Sequence, residues 1–248
     1  MNLLLDVGNS YLKWCSYEGL RKGEIFREAY GADIGGRLDR CWQNIEQPAS
    51  VWISSVAGEK VDAEVSRWVR RNWLIESEFV VSRRAQAGVV NGYRQPEQLG
   101  VDRWMALLAG RAISHQPCLI VDCGTATTID AMDAEGRHLG GLIIPGLAMM
   151  RESLLGGTAI LEFEDAESID FVATDTASAI LSGGINATRS LINEMRDRLS
   201  KKLDQPVLSL LTGGAAGQLL DGVMLPKQHE PNLVLNGVAI VAGMRDNA

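Results

Sequence analysis

Twice, half a chain apart, the sequence writes an apolar run, an Asp, any residue, a Gly, small polar residues, and a second strand-like run. The copies are "LLLDVGNSYLKW" at 3–14 and "LIVDCGTATTID" at 119–130, with Asp122 and Gly124 each 116 positions after Asp6 and Gly8. An apolar run that ends in Asp-x-Gly reads as a buried strand closing into a tight turn, since Gly tolerates the bend and Asp, Asn and Ser favour turns. One copy alone would be an ordinary hairpin. Two copies at matched strand ends imply a duplicated chain, and 248 residues are enough to bury a sizeable core.

The rest of the chain fits two halves, 1–115 and 116–248, that open alike. Strands are expected at 2–7, 10–17 and 24–30, then a helix over "ADIGGRLDRCWQNI", a buried strand "SVWISSV" and a helix "EKVDAEVSRWVRRNWL", whose Val61, Val65, Trp68 and Val69 share one face. After "EFVVS" comes a loop, "RRAQAGVVNGYRQPEQLG", and the helix "VDRWMALLAGRAI". The second half repeats the opening with "CLIVD", "TATTIDAMD" and "RHLGGLIIPG". Helices over "LAMMRESLL" and "TASAILSGGINATRSLINEMRDRLSKKL", the strand "PVLSLLTGG" and a last helix "LVLNGVAIVAGMR" follow. The class is α/β, and the absence of a Ser/Pro linker predicts closely packed halves.

Composition narrows the function. Lys plus Arg 24 against Asp plus Glu 31 leaves a net charge of −7, which disfavours nucleic acid, because a phosphate backbone demands a basic face. The basic and aromatic "RWVRRNW" accordingly reads as a solvated helix face, and Trp42, Trp52, Trp68, Trp73 and Trp104 as packing residues. Cys15, Cys41, Cys118 and Cys123 form no CxxC and His115, His138 and His229 lie far apart, so a zinc site is not expected and the thiols read as reduced packing groups. No run approaches the roughly 18 apolar residues of a membrane span, and the start has no basic n-region; a cytoplasmic protein without a membrane partner is expected.

The repeated turns carry the chemistry. A carboxylate at the mouth of a Gly turn can hold a cation, while Asn9, Ser10, Thr125 and Thr127 offer N–H and O–H donors to phosphate oxygens, and Lys13 adds a point charge. A third Gly-rich strand end, "LLTGG" at 210–214, accompanies them. GxGxxG and GxxxxGK[ST] are both absent, which sets aside the Rossmann and P-loop routes.

The duplicated Asp-Gly hairpin resembles the phosphate-1 and phosphate-2 loops of the acetate and sugar kinase, Hsc70 and actin superfamily, and "LTGG" its adenosine motif. Within that superfamily the chain is similar to type III pantothenate kinases, through "DVGNSYLK", "NGYRQPEQLGVDRWMAL", "DCGTATTID", "GGLIIPGLAMMRESL" and "TGG", in the family's order over nearly the whole chain. Ser10 stands where the family's first loop is expected to carry Thr, which keeps a hydroxyl. The resemblance implies two ribonuclease H-like halves, each a mixed sheet opening with a three-stranded antiparallel meander and flanked by helices, with an ATP cleft between them. The first half would hold the phosphate-1 loop and catalytic Asp; the second would hold the phosphate-2 loop, adenosine motif and dimerisation surface.

The same resemblance assigns roles. Asp6, Val7, Gly8, Asn9, Ser10, Tyr11, Leu12 and Lys13 match the ATP-phosphate segment, with Asp6 organising Mg2+ through water; Thr125 would also meet ATP, and Asp122 matches a monovalent cation ligand for K+ or NH4+. Tyr93, Gly100, Val101, Asp102 and Arg103 match the pantothenate site, with Asp102 as base and Arg103 facing the substrate carboxylate. Two readings stay open for several of these. Asp102 could instead be a carboxylate favouring a helix N-terminus, Arg103 a solvated charge and Asp122 a turn residue. Thr176 matches a Thr that reaches pantothenate from the neighbouring subunit of a homodimer, or is the N-cap of the following helix. The acidic stretch 162–176 has no secure alignment, and Asp130 is read as solvated. The expected activity is ATP-dependent phosphorylation of pantothenate; the alternatives are a kinase of another small alcohol and a non-catalytic nucleotide-binding regulator.

Overall fold

A computed structural model describes residues 1–19, 21–31, 33–157 and 169–244. The tail of the acidic stretch aside, residues 162–168 fall outside it, as does Arg245 at the end of the expected last helix. The chain forms two compact units: one takes residues from Met1–Ile113 and the C-terminal helix, the other from Ser114–Asn232.

In the first unit, β1 (Asn2–Val7), β2 (Tyr11–Glu18) and β3 (Arg21–Ala29) form the antiparallel meander. Strands β4 (Val51–Ser55) and β5 (Ser77–Phe79) extend it in parallel, giving the order β3-β2-β1-β4-β5. Parallel neighbours need crossovers, supplied by α1 (Ile34–Trp42) before β4 and α2 (Glu59–Trp73) before β5. Alternation decides which strand residues go inward: Leu3, Leu5 and Val7 of β1 and Val51 and Ile53 of β4 join one buried cluster with Ile34, Leu38 and Trp42 of α1 and Val65, Trp68, Val69 and Trp73 of α2. The indoles pack on each other, with Trp42 and Trp73 stacked at 5.4 Å and Trp42 edge-on to Trp68 at 5.2 Å. Each such aromatic pair contributes about 0.5–1.5 kcal/mol beyond area burial. The expected loop before α3 (Val101–Ile113) holds a small hairpin, β6 (Ala85–Gln86) and β7 (Val89–Val90), and a 3-10 turn at Pro96–Gln98. Two-residue strands carry no periodicity, so sequence patterning passes over them.

The second unit repeats the first strand for strand. Strands β8 (Cys118–Cys123), β9 (Ala126–Met132) and β10 (His138–Pro145) form its meander. With β11 (Leu208–Thr212) and β12 (Lys227–His229) in parallel, the order is β10-β9-β8-β11-β12. Helices α4 (Leu147–Gly157) and α5 (Thr176–Leu203) come before β11, and the short α6 (Ala216–Leu219) before β12. Leu119, Val121, Ile129 and Leu211 pack with Ile185 and Ile192 of α5. Strand β12, "KQH", is a polar edge strand with no apolar signal to reveal it.

The last helix, α7 (Leu233–Val241), follows the second sheet in sequence yet belongs to the first unit, packed against β1, β4 and α3. Leu233 to Ile240 are all buried. A helix apolar all round must be covered on every side, and α3, buried from Arg103 to Gly110, supplies one of those sides. Among the described residues no helix is long and apolar enough to cross a membrane.

Candidate active site

The first hairpin is built by register. Asp6, next to the last residue of β1, stands opposite Lys13 on β2 and beside Ser54 on β4. Val7 and Leu12 are buried, so they offer backbone only. The Gly8 N–H donates to the Tyr11 carbonyl at 3.0 Å, leaving Asn9 exposed and Ser10 half-buried at the tip. From behind, the Tyr30 hydroxyl donates to the Gly8 carbonyl at 2.5 Å. Tyr11 points outward under the Arg27 guanidinium, 3.6 Å from its ring centre. Among the described residues the buried Ser54 hydroxyl has no hydrogen-bond partner.

The second constellation gathers at the start of α3. Arg103 is a buried cation, 6% exposed, whose Nη1 donates to the Tyr93 hydroxyl at 2.9 Å. It is therefore no solvated surface charge. Asp102 Oδ1 accepts the Arg103 N–H at 2.7 Å, and a Cβ added at Gly100 would stand 2.7 Å from the same oxygen. A side chain at that position would displace the Asp102 carboxylate. The turn between Gly100 and Val101 then closes as the Trp104 N–H donates to the Gly100 carbonyl.

Residues the sequence reading passed over hold this loop. Buried Asn91 accepts the Tyr93 N–H at 3.0 Å and donates to the Pro96 carbonyl at 3.3 Å, Arg84 donates to the Tyr93 and Arg94 carbonyls at 3.1 Å, and Ser82 donates to the Leu99 carbonyl at 2.8 Å. Asn91 lies within "NGY", so its residue type was visible. What it bonds depends on how the loop folds.

In the second unit three small-residue turns meet. The Gly124 N–H donates to the Ala126 carbonyl, a turn one residue shorter than the first, so Thr128 rather than a lysine stands opposite Asp122. Gly213, at φ +88°, lies so close that a Cβ there would be 2.4 Å from Asp122 Oδ1 and 2.6 Å from the Cys123 backbone. A Cβ at Gly146 would fall 2.3 Å from the Gly124 carbonyl oxygen, and the Gly146 N–H donates to the exposed Thr125's carbonyl at 3.0 Å. Burial, with Asp122 adding to it, pushes the Cys123 thiol up to about 12. Asp130 is buried rather than solvated, 2.9 Å from His138 Nε2, because its strand position faces inward.

Thr176 is the first residue of α5, and the cap is Asp175, whose carboxylate accepts the Ser178 N–H at 2.8 Å. The N-cap alternative for Thr176 is thus set aside. Thr176 lines a groove of about 740 Å³ with Met150, Leu154, Ile180 and Gly184.

Among the described residues no three His, Cys, Asp or Glu gather as a metal cluster. Magnesium in phosphoryl-transfer sites is typically held by one or two carboxylates plus substrate phosphates. Asp6, beside a Ser54 hydroxyl that has no partner among the described residues, fits that mode of binding.

A family model described as type III pantothenate kinase matches residues 2–198, a span containing both hairpins, the Gly100–Arg103 turn and Thr176. The chain belongs to the type III pantothenate kinase family. A family member from Nitrosococcus oceani is 35% identical over 249 residues, covering 98% of this chain and 94% of the relative. One from Halorhodospira halophila is 36% identical, covering 96% of each. Among solved structures, a Campylobacter jejuni protein described as a Baf family transcriptional activator superposes with a TM-score of 0.62 at 20% identity, covering 97% of this chain and 98% of its own. A Sinorhizobium meliloti protein described as a 2-dehydro-3-deoxygalactonokinase gives 0.57 at 14%, covering 98% of each. At such identities the structures speak for the fold alone. That fold is the one shared by sugar kinases and actin-like ATPases, with two mixed sheets flanked by helices.

Proposed function

We propose that this type III pantothenate kinase family member transfers the γ-phosphoryl group of ATP to the primary hydroxyl of pantothenate, making 4'-phosphopantothenate, the first step toward coenzyme A. One observation carries the acceptor side: the buried Arg103 guanidinium, bonded to the Tyr93 hydroxyl, lies one residue from the Asp102 carboxylate. A carboxylate-binding cation and a hydroxyl-orienting carboxylate at one helix start suit an acceptor that carries both an acid and an alcohol.

Phosphoryl transfer asks for positioning and charge stabilisation more than covalent chemistry. Arg103 and Tyr93 hold the acceptor carboxylate, and Gly100 and Val101 present backbone to it. Asp102 orients the primary hydroxyl and accepts its proton as the γ-phosphorus is attacked in line. The Asn9 and Ser10 donors, Lys13 and the Thr125 hydroxyl take the ATP phosphate oxygens. Asp6 would hold magnesium, which would neutralise charge on the phosphates, and Asp122 would hold K+ or NH4+. We further read the protein as a cytoplasmic homodimer in which Thr176 completes the neighbouring subunit's acceptor site.

The test is ATP-dependent phosphorylation of pantothenate by purified protein with magnesium, comparing K+ with Na+ and wild type with Asp102→Asn. Turnover that needs K+ and falls about 10²–10⁴-fold in Asp102→Asn is the expected result. Folded protein that phosphorylates other small alcohols but not pantothenate overturns the acceptor assignment. Equal rates in K+ and Na+ overturn the cation assignment alone.

A further inference from the structure

The two hairpin loops are held from behind at equivalent positions by different chemistry. In the first sheet Tyr11 pairs with Ala29, so the next residue, Tyr30, stands level with the loop tip. In the second sheet Ala126 pairs with Pro145, and the next residue is Gly146. Both reach a loop carbonyl: the Tyr30 hydroxyl donates to the Gly8 oxygen, and the Gly146 N–H donates to the Thr125 oxygen. The duplicated register has kept a donor at this place while changing it from a side chain to the backbone, and the carbonyl it meets lies one residue further along the shorter second loop.

That contact has a directional effect. In a trans peptide the C=O and the following N–H point opposite ways. With the Gly8 oxygen turned toward the buried Tyr30, the Asn9 N–H is turned outward, at the exposed tip of the loop. Gly8 is the residue best able to let this peptide rotate, because it lacks the Cβ that restricts its neighbours. Without Tyr30, the Gly8–Asn9 peptide is free to flip and withdraw its donor.

We infer that Tyr30 is a positioning residue for ATP: by pinning the Gly8 carbonyl it aims the Asn9 N–H at a phosphate oxygen of the bound nucleotide. The inference rests on the reading of residues 6–13 as an ATP-phosphate loop. Burial, reinforced by Asp62, holds the Tyr30 hydroxyl above its ordinary pKa, so it stays a donor throughout the neutral range. The Asp62 carboxylate is itself engaged by the Ser55 hydroxyl at the end of β4. The second loop needs no tyrosine, since Gly146 at the start of α4 comes close enough for its own N–H to reach Thr125.

The experiment compares wild type, Tyr30→Phe and Lys13→Ala for KM of ATP, KM of pantothenate, Kd of magnesium ADP and thermal midpoint. The Asn9 amide resonance is followed in protein labelled with 15N-asparagine. Tyr30→Phe should raise the ATP KM and the nucleotide Kd about five- to tenfold, the range expected for one lost hydrogen bond. It should leave the pantothenate KM within about twofold and shift the Asn9 amide before any ligand is added. An unchanged ATP KM in Tyr30→Phe, alongside a raised one in Lys13→Ala, overturns the role of Tyr30 and leaves the loop assignment standing. If neither variant alters nucleotide binding, the loop assignment fails and takes the inference with it. If both KM values rise together as the midpoint falls, Tyr30 is only a packing residue and the inference is overturned.

Discussion

Arg103 is a cation almost fully withdrawn from water, and its planar fork is the reason it can be. Its Nη1 donates to the Tyr93 hydroxyl while its carbon lies 5.6 Å from the Tyr93 ring centre, within cation–π range. A lysine has neither the plane nor the fork. Arg103→Lys should therefore raise the pantothenate KM at least about tenfold with the ATP KM little changed, in steady-state assays varying each substrate. The thiols give a second prediction at this scale. Burial pushes Cys15 up to about 11 and Cys123 up to about 12, so both stay protonated at pH 8, whereas an unfolded chain's thiols ionise near pH 8.5. Alkylation of native protein at pH 8 should begin at half-buried Cys41, with Cys15 and Cys123 labelled only on unfolding, as peptide mapping by mass spectrometry would report.

At the element scale, α5 begins on a charged cap. Asp175 accepts the Ser178 N–H, and that bond holds its carboxyl below the usual carboxylate range. A carboxyl whose pKa is lower in the folded chain contributes stability above its unfolded pKa of roughly 4 and loses it as pH falls through the folded value. The melting-point difference between wild type and Asp175→Ala should thus be constant at neutral pH and shrink below about pH 4. The second loop offers an unambiguous steric case. Gly146→Ala would drive a methyl into the Gly124 and Thr125 carbonyls, whose atoms stand at 2.3 and 2.5 Å from the new carbon. Backbone cannot rotate away as a side chain can, so the loop must move. Weaker nucleotide binding with pantothenate affinity retained is the expected outcome, read by calorimetric titration of each ligand.

At the scale of the whole molecule, the duplication is complete in topology and incomplete in sequence. Both sheets run in the same strand order with the same parallel and antiparallel pairings. Helix α7 closes the first unit after a full excursion through the second, and at Gly237 it comes so near α3 that a Cβ would lie 2.1 Å from the Met105 carbonyl oxygen. Gly237→Ala should separate the two helices at a cost of about 1–3 kcal/mol, seen as a lower urea midpoint, and should disturb pantothenate binding because α3 carries Asp102 and Arg103 at its start. Much of this was legible beforehand. The repeated Asp-x-Gly phrase, the meanders, the span of α3 and the residue types at 6, 102, 103 and 122 stand in local patterns of period 2 and 3.6, and local patterns survive without a fold. Local pattern therefore fixes the long strands and helices, their duplication and the chemical groups placed at strand and helix ends, but not the short β6, β7 and β12. The tertiary structure alone decided that α7 returns to the first unit, that Asp130 and Arg103 are buried and partnered, and that Tyr30, Asn91 and Gly146 brace the loops. These are contacts between residues distant in the chain or turned by a loop's path, and such contacts leave no periodic mark in the sequence.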